Sequence, residues 1–211
     1  KIGVVPVNLQ IIKTLTGDGQ LTASDELLNT VNYYSGEYGV GDCPEAWASF
    51  NFADYFIDNR TAAILRLSQD GITPISVLYK VNSWGSVELP LRDGATSFCY
   101  GAFDQRVNKY IIALEASEDS SETALCFNEE GNTFDSFMTY FPEMMVTLGV
   151  LLIGFKNGQL WTHDSTVYNN FFGVQYNSSI TPVFNQATAA VKSFMAIEEK
   201  SNTVWVCPDI E

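Results

Sequence analysis

Trp161-Thr162-His163-Asp164-Ser165 sets the three residue types of a nucleophilic relay side by side, and His163 is the chain's single histidine. Any Ser-His-Asp or Cys-His mechanism must therefore pass through it. Adjacency argues against one, because a triad is a spatial arrangement and successive residues of an extended segment point to opposite faces. His163 reads instead as a turn or strand-edge residue after a hairpin. Carboxylates are abundant and so say little on their own. Glu115, Glu118, Asp119 and Glu122 share one loop and read as a solvated acidic tip, exposed and mobile. A glycosidase needs two carboxylates facing each other across a sugar cleft, which spacing alone does not show.

Cys43, Cys99, Cys126 and Cys207 lie far apart, with no CxxC or Cys/His cluster of the kind structural zinc uses. So few cysteines in a chain of this size read as free thiols made in a reducing compartment, with Cys126 a small core residue. Gly17-Asp18-Gly19 and the glycines at 36–41 do not form a phosphate loop, and EF-hand spacing is absent. The sequons at Asn59 and Asn177 would matter only on a eukaryotic secretory route. Ser68-Gln69-Asp70-Gly71-Ile72-Thr73 resembles the Asp-box of sialidase propellers, yet lacks the residue between Asp and Gly and ends on Pro74. Arg60, Arg66, Arg92 and Arg106 are the four arginines, few for a carboxylate-binding cluster. No catalytic, cofactor or metal residue is assigned.

The elements that must carry these residues are short strands. Of 211 residues, 46% are hydrophobic and 13% aromatic, enough for a core and weighted toward sheet. Residues 62–67 and 72–76 read as strands around the turn 68–71. Residues 151–155 and 160–162 flank Lys156-Asn157-Gly158-Gln159, whose Asn-Gly pair suits a type I′ turn. A third pair, 110–114 and 124–128, is joined by the acidic loop. Helical signal is thin: Ser24 could cap a turn or two over 25–28, and 185–192 is ambiguous. The aromatic stretch from Phe134 to Met145 reads as core, and residues 168–173 offer rings for sugar stacking, subunit packing or burial.

Residues 65–76 align without gaps on 125–136, matching Leu, Gly, Thr and Ser, with an acidic residue before Gly71 and Gly131 in both. With the hairpin closed by Asn157 and Gly158, this gives a recurring unit of strand, polar Gly-closed turn and strand. Gly71, Gly131, Asn157 and Gly158 are therefore assigned as structural turn residues. Recurrence points to a propeller or another repeated sheet architecture, spaced irregularly at about 60 and then about 27 residues.

Acidic residues outnumber Lys and Arg by 25 to 11, a formal charge of −14. Such a surface does not grip phosphate, though DNA can pass it without being held. The longest apolar run, residues 144–155, is about a dozen residues against the ~20 of a membrane helix. The chain begins without Met or a signal-peptide layout and ends just after a strand-like run, and reads as a fragment.

Tyr34-Ser35-Gly36-Glu37-Tyr38-Gly39-Val40-Gly41, Pro44-Glu45 and Tyr55-Phe56-Ile57-Asp58-Asn59-Arg60 lead into Arg66-Leu67-Ser68-Gln69-Asp70-Gly71. Tyr140-Phe141-Pro142-Glu143-Met144, Phe155-Lys156-Asn157-Gly158-Gln159-Leu160-Trp161 and Asn170-Phe171-Phe172-Gly173-Val174-Gln175-Tyr176 follow. Over residues 24–206 this resembles the stabilisation, tail nozzle or muzzle proteins of crAss-like and related short-tailed Bacteroidetes phages. These motifs are structural and transfer no chemical residues. The resemblance implies an all-β fold, a β-propeller-like array of short antiparallel sheets, partial here because family members are several times longer. Residues 1–33 would connect and 34–211 would form blades. It implies a virion tail protein made in the bacterial host cytoplasm, self-associating into a ring that closes the channel and retains packaged DNA. Its neighbours would be other tail and portal-side proteins, with double-stranded DNA passing in the lumen, no membrane and no catalysis. The alternative is a carbohydrate-binding or glycan-cleaving propeller of a gut bacterium or phage.

Overall fold

The computed structural model describes residues 1–5, 31–92, 94–138, 140–180, 189–193, 196, 198–202 and 204–207, and the backbone of 10–13 and 19–22. The helical turn expected at 25–28 and the first half of 185–192 lie outside these residues. Lys1–Asn177 forms one compact unit and Ser178–Glu211 a second. The described residues of the second carry no helix or strand.

The first unit is all-β, built from small antiparallel sheets. β1 (Gly3–Val4), β2 (Gln10–Lys13), β3 (Gly19–Thr22) and β4 (Asn32–Tyr33) form two ribbons, β1 with β4 and β2 with β3. β5 (Ala48–Phe50), β6 (Ala53–Asp58), β7 (Ala63–Ser68) and β8 (Gly71–Pro74) make a four-stranded meander. Two short helices, α1 (Ile75–Leu78) and α2 (Asn82–Glu88), lead to a second meander. It consists of β9 (Cys99–Asp104), β10 (Lys109–Leu114), β11 (Thr123–Asn128) and β12 (Thr133–Met138). A third sheet has three strands, β13 (Met144–Leu148), β14 (Leu151–Lys156) and β15 (Gln159–Thr162). The small hairpin of β16 (Asn170–Phe171) and β17 (Val174–Gln175) follows.

These sheets stack, and side-chain alternation assigns each face. Tyr55, Ile57 and Ile64 of the first sheet meet Phe103, Tyr110, Ile112 and Phe127 of the second. Tyr55 stacks on Phe103 and on Tyr110, both at 5.2 Å between centroids, and Phe50 stacks on Phe103 at 4.3 Å. Leu89 and Ile75, from the helical connection, fill the same core. The opposite face of the second sheet presents small residues, Ala102, Ala113, Ala124 and Cys126, against which Met145 and Leu152 of the third sheet pack. Burial on both faces explains the unbroken apolar run of β10 and the lack of a simple alternation there. The outer face of the first sheet, with Phe56 and Leu65, is covered by Ile2 and Tyr38. β9 lies beside both β5 and β13, so the first strands of successive sheets are neighbours.

The expected strand pairs at 110–114 and 124–128 and at 151–155 and 160–162 are present in register. The echo at 65–76 and 125–136 falls on equivalent places, the third and fourth strands of the two meanders. Two expectations change. Ile75 and Ser76 begin α1 instead of ending a strand, because Ser76 turns inward and its hydroxyl accepts from Ile64 N–H. The aromatic stretch read as core contributes to β12 and β13, with Tyr140, Phe141 and Met145 buried but Phe137 and Met144 exposed, because strand alternation sends neighbouring side chains to opposite faces.

A second repeat lies in the turns. Asp58, Asp104 and Asn128 each end a strand, and each side chain accepts a backbone N–H two or three residues on, from Arg60, Arg106 and Gly131 respectively. Four residues after each comes a left-handed residue, Ala62, Asn108 or Asn132, with φ of 54°, 52° and 49°. The side-chain bond closes the loop and the left-handed residue redirects the chain into the returning strand. Gly71 has φ +100°, and Asn157 and Gly158 have +53° and +69°; beside Gly131 the positive φ belongs to Asn132.

Gly101 in β9 lies against the short 3-10 turn Pro44–Ala46. A β-carbon there would stand 2.3 Å from the Ala46 carbonyl oxygen and 2.8 Å from the Tyr110 hydroxyl that donates to it. Gly101→Ala is expected to destabilise the chain by about 1–3 kcal/mol, the cost of overpacking against backbone. A chemical-denaturation midpoint unchanged from wild type would show that this contact yields freely.

Candidate functional site

The sequence-level candidates do not assemble into a relay. His163 follows β15, and its ring sits among Tyr140 at 5.3 Å, Phe172 at 5.8 Å and Phe171 at 6.1 Å. Its backbone N–H donates to Leu152 O and its carbonyl accepts from Arg106. Asp164 faces Arg106 at 2.6 Å, and the Ser165 hydroxyl bonds to the backbone of Val167. His163 Nε2 and the Trp161 indole nitrogen are buried without a hydrogen-bond partner. Gly154 makes this aromatic nest possible, since a β-carbon there would lie 2.9 Å from the Phe172 ring. A cleft of about 280 Å³ opens beside the nest, lined by Trp161, His163, Asp164, Asn170 and Phe172, with Tyr168 88% exposed at its edge.

All four arginines hold carboxylates of the chain itself. Arg60 pairs with Asp42 at 2.6 Å, Arg66 with Glu129 at 2.7 Å, Arg92 with Glu88 at 2.8 Å, and Arg106 with Asp104 and Asp164. Arg66 joins the first sheet to the second, and Arg106 joins the second to the segment after the third. Arg92 is 0% exposed and was singled out by nothing in the sequence beyond its type. Its guanidinium donates to the carbonyls of Glu88, Glu115 and Ser121 and to the Glu88 carboxylate, while its own carbonyl accepts from Asn59.

Arg92 thereby pins the acidic loop. Glu118, Asp119 and Glu122 are exposed, but Glu115 turns back so that its carboxylate accepts from Phe98 N–H. Ser120 donates to Glu88, whose pKa is held below its ordinary value by Ser120 and Arg92 against the opposing effect of burial. The exposed tip is narrower than the loop composition suggests. Asn59, the first sequon, is buried and spends its side chain on Asp42 and Arg92.

Cys43, Cys99 and Cys126 are buried free thiols, and Cys207 is exposed. The neighbouring Cys43 thiol, together with burial, raises the Cys99 pKa. Burial pushes the Cys126 thiol up to about 12, so it stays protonated. Among the described residues no group of three or more His, Cys, Asp or Glu could hold a metal ion. None of the described helices is long and apolar enough to cross a membrane, and the apolar run at 144–155 is the β13–β14 hairpin.

These features describe a β-rich protein of stacked sheets joined by aromatic cores and internal arginine bridges. No family model matches the chain. It is similar to the muzzle protein of Bacteroides phage crAss001, with 28% identity over 154 residues. That alignment covers 71% of this chain and 11% of the phage protein, so the chain spans a small part of its relative's length.

Two measurements test the energetic roles assigned here. Arg92→Ala leaves a carboxylate and several carbonyls without their donor and is expected to cost about 3–5 kcal/mol in a urea melt. Stability within 1 kcal/mol of wild type, roughly the scale of a surface pair, would assign Arg92 no such role. Burial lowers the His163 pKa, opposed by Asp104 and assisted by Arg106. The unfolded imidazole takes up a proton near about pH 6.5 while the folded one resists, so this contribution is full above that pH and declines below it. The denaturation midpoint should therefore fall from about pH 7 to about pH 5.5, and fall less in His163→Gln. Equal slopes in the two proteins would remove His163 as the cause.

Proposed function

We propose that the chain is a structural part of a phage virion, a muzzle-like tail component that closes the channel and helps retain packaged DNA without catalysis. The observation that carries this reading is its similarity to a phage muzzle protein over 154 residues. The site geometry accords with it: His163 is packed among aromatic rings, and the arginines are committed to carboxylates of the same chain.

On this reading the three stacked sheets are consecutive blades of a propeller-like array. The neighbouring placement of β5, β9 and β13 supports this, since first strands of successive blades line a propeller's axis. Copies would form a ring on the tail axis, beside portal-side and other tail proteins. An excess of 14 negative charges would let double-stranded DNA slide past without being held. A carbohydrate-binding role is the second reading, favoured by the exposed Tyr168 ring beside the cleft.

Mass spectrometry of purified particles, followed by electron microscopy of their tails, tests the proposal. The sequence is expected among the virion proteins, with density for stacked sheets around the tail channel. A chain missing from particles that binds oligosaccharides on a glycan array, and loses that binding in Tyr168→Ala, would replace the tail reading with the carbohydrate one.

A further inference from the structure

Cys43 and Cys99 stand in the same core, between the first and second sheets, and neither is exposed. Cys43 opens the 3-10 turn Pro44–Ala46, and its carbonyl accepts from Ala46 N–H. That turn lies on β9, where a β-carbon added at Gly101 would stand 2.3 Å from the Ala46 carbonyl oxygen. Cys99 begins β9 two residues before Gly101, so strand alternation sends its side chain to the same face, toward the turn. The two thiols therefore meet where the turn crosses the strand. Each acts on the other: Cys99 lowers the Cys43 pKa against the opposing effect of burial, while Cys43 and burial raise that of Cys99. The remaining cysteines stand elsewhere. Cys126 lies on the opposite face of the second sheet, and Cys207 belongs to the second compact unit.

We propose that Cys43 and Cys99 form a modification site, a pair of thiols that hydrogen peroxide closes into a disulfide within the folded chain. Cys43 reacts first, since it ionises more readily and lies one turn below the surface, beneath exposed Pro44 and Glu45. Peroxide is close to water in size and reaches the thiol when the short turn opens locally. The Cys43 thiolate attacks one peroxide oxygen, the O–O bond breaks, and hydroxide leaves, giving a sulfenic acid. The Cys99 sulfur then displaces the sulfenic hydroxyl, which departs as water with the proton of the Cys99 thiol. Both thiols are oxidised to the disulfide, and the peroxide is reduced to water. The bond ties the segment before the first sheet to the first strand of the second, and the whole first meander and both helices lie between them in sequence. Such a link restricts the unfolded chain far more than the folded one, in which the thiols are already neighbours. The site rests on the packing of the turn against β9 and holds whether or not the chain is a virion component.

Peroxide treatment of the folded 211-residue chain, then thiol alkylation in denaturant and peptide mapping by mass spectrometry, tests the proposal. A linked pair of peptides carrying Cys43 and Cys99 is expected, lighter than the free peptides together by the hydrogens of the two thiols. Dithiothreitol should separate them. The linked protein should also unfold at higher urea than the same sample after dithiothreitol, a comparison in which any methionine oxidation is common to both. Cys43 and Cys99 that both remain open to alkylation after treatment overturn the proposal. So does a disulfide that forms through Cys126 or Cys207 instead, or a Cys43–Cys99 bond that leaves the urea midpoint unchanged or lower, since the thiols would then not be placed for it.

Discussion

The structure depends on the burial of the β9–β12 sheet on both faces. Its two sides solve different packing problems. Toward the first sheet it offers Phe103, Tyr110 and Phe127, and the gap is wide enough for stacked aromatic rings and for residues of the helical connection. Toward the third sheet it offers Ala102, Ala113, Ala124 and Cys126 with Ile111, packed against Met145 and Leu152. Aromatic stacking adds to area burial on the first side, while aliphatic packing supplies dispersion contacts on the second. Remove the middle sheet and the first keeps only its smaller outer core around Phe56 and Leu65, and small isolated antiparallel sheets are marginal in water.

Charge does a second job around this stack. A chain with 25 acidic and 11 basic residues has few cations to place, and the arginines stand where separate elements meet. Arg66 reaches from β7 to Glu129, and Arg106 reaches from the β9–β10 turn to Asp164. Arg92 gathers the ends of α2, the acidic loop and Asn59 around one buried guanidinium. The fork of donors on arginine suits this use, since a single side chain satisfies several carbonyls and a carboxylate together. The remaining acidic residues are left to dominate the surface.

The motif that looked most like chemistry does not assemble as a relay. Trp161-Thr162-His163-Asp164-Ser165 is dispersed by its backbone: Trp161 and His163 go to an aromatic nest, while Asp164 goes to Arg106. The burial that lowers the His163 pKa comes from its packing among aromatic rings.

Much of the fold was legible in the sequence, because local patterns carry it. Asn157-Gly158 determined a tight hairpin through the positive φ that both residues accept, and the apolar runs at 110–114 and 124–128 determined a strand pair. The echo of residues 65–76 at 125–136 marked equivalent strands in two sheets. The turn repeat was also present in the letters, as Asp58-Asn59-Arg60 and Asp104-Gln105-Arg106. The letters alone do not mark it as a repeat, because the bond that defines it runs from a side chain to a backbone N–H, which composition does not reveal. Tertiary structure alone decided the rest. Which face of each strand meets which sheet and the burial of Arg92 follow from stacking order. Stacking brings together residues distant in sequence, so no local propensity encodes it.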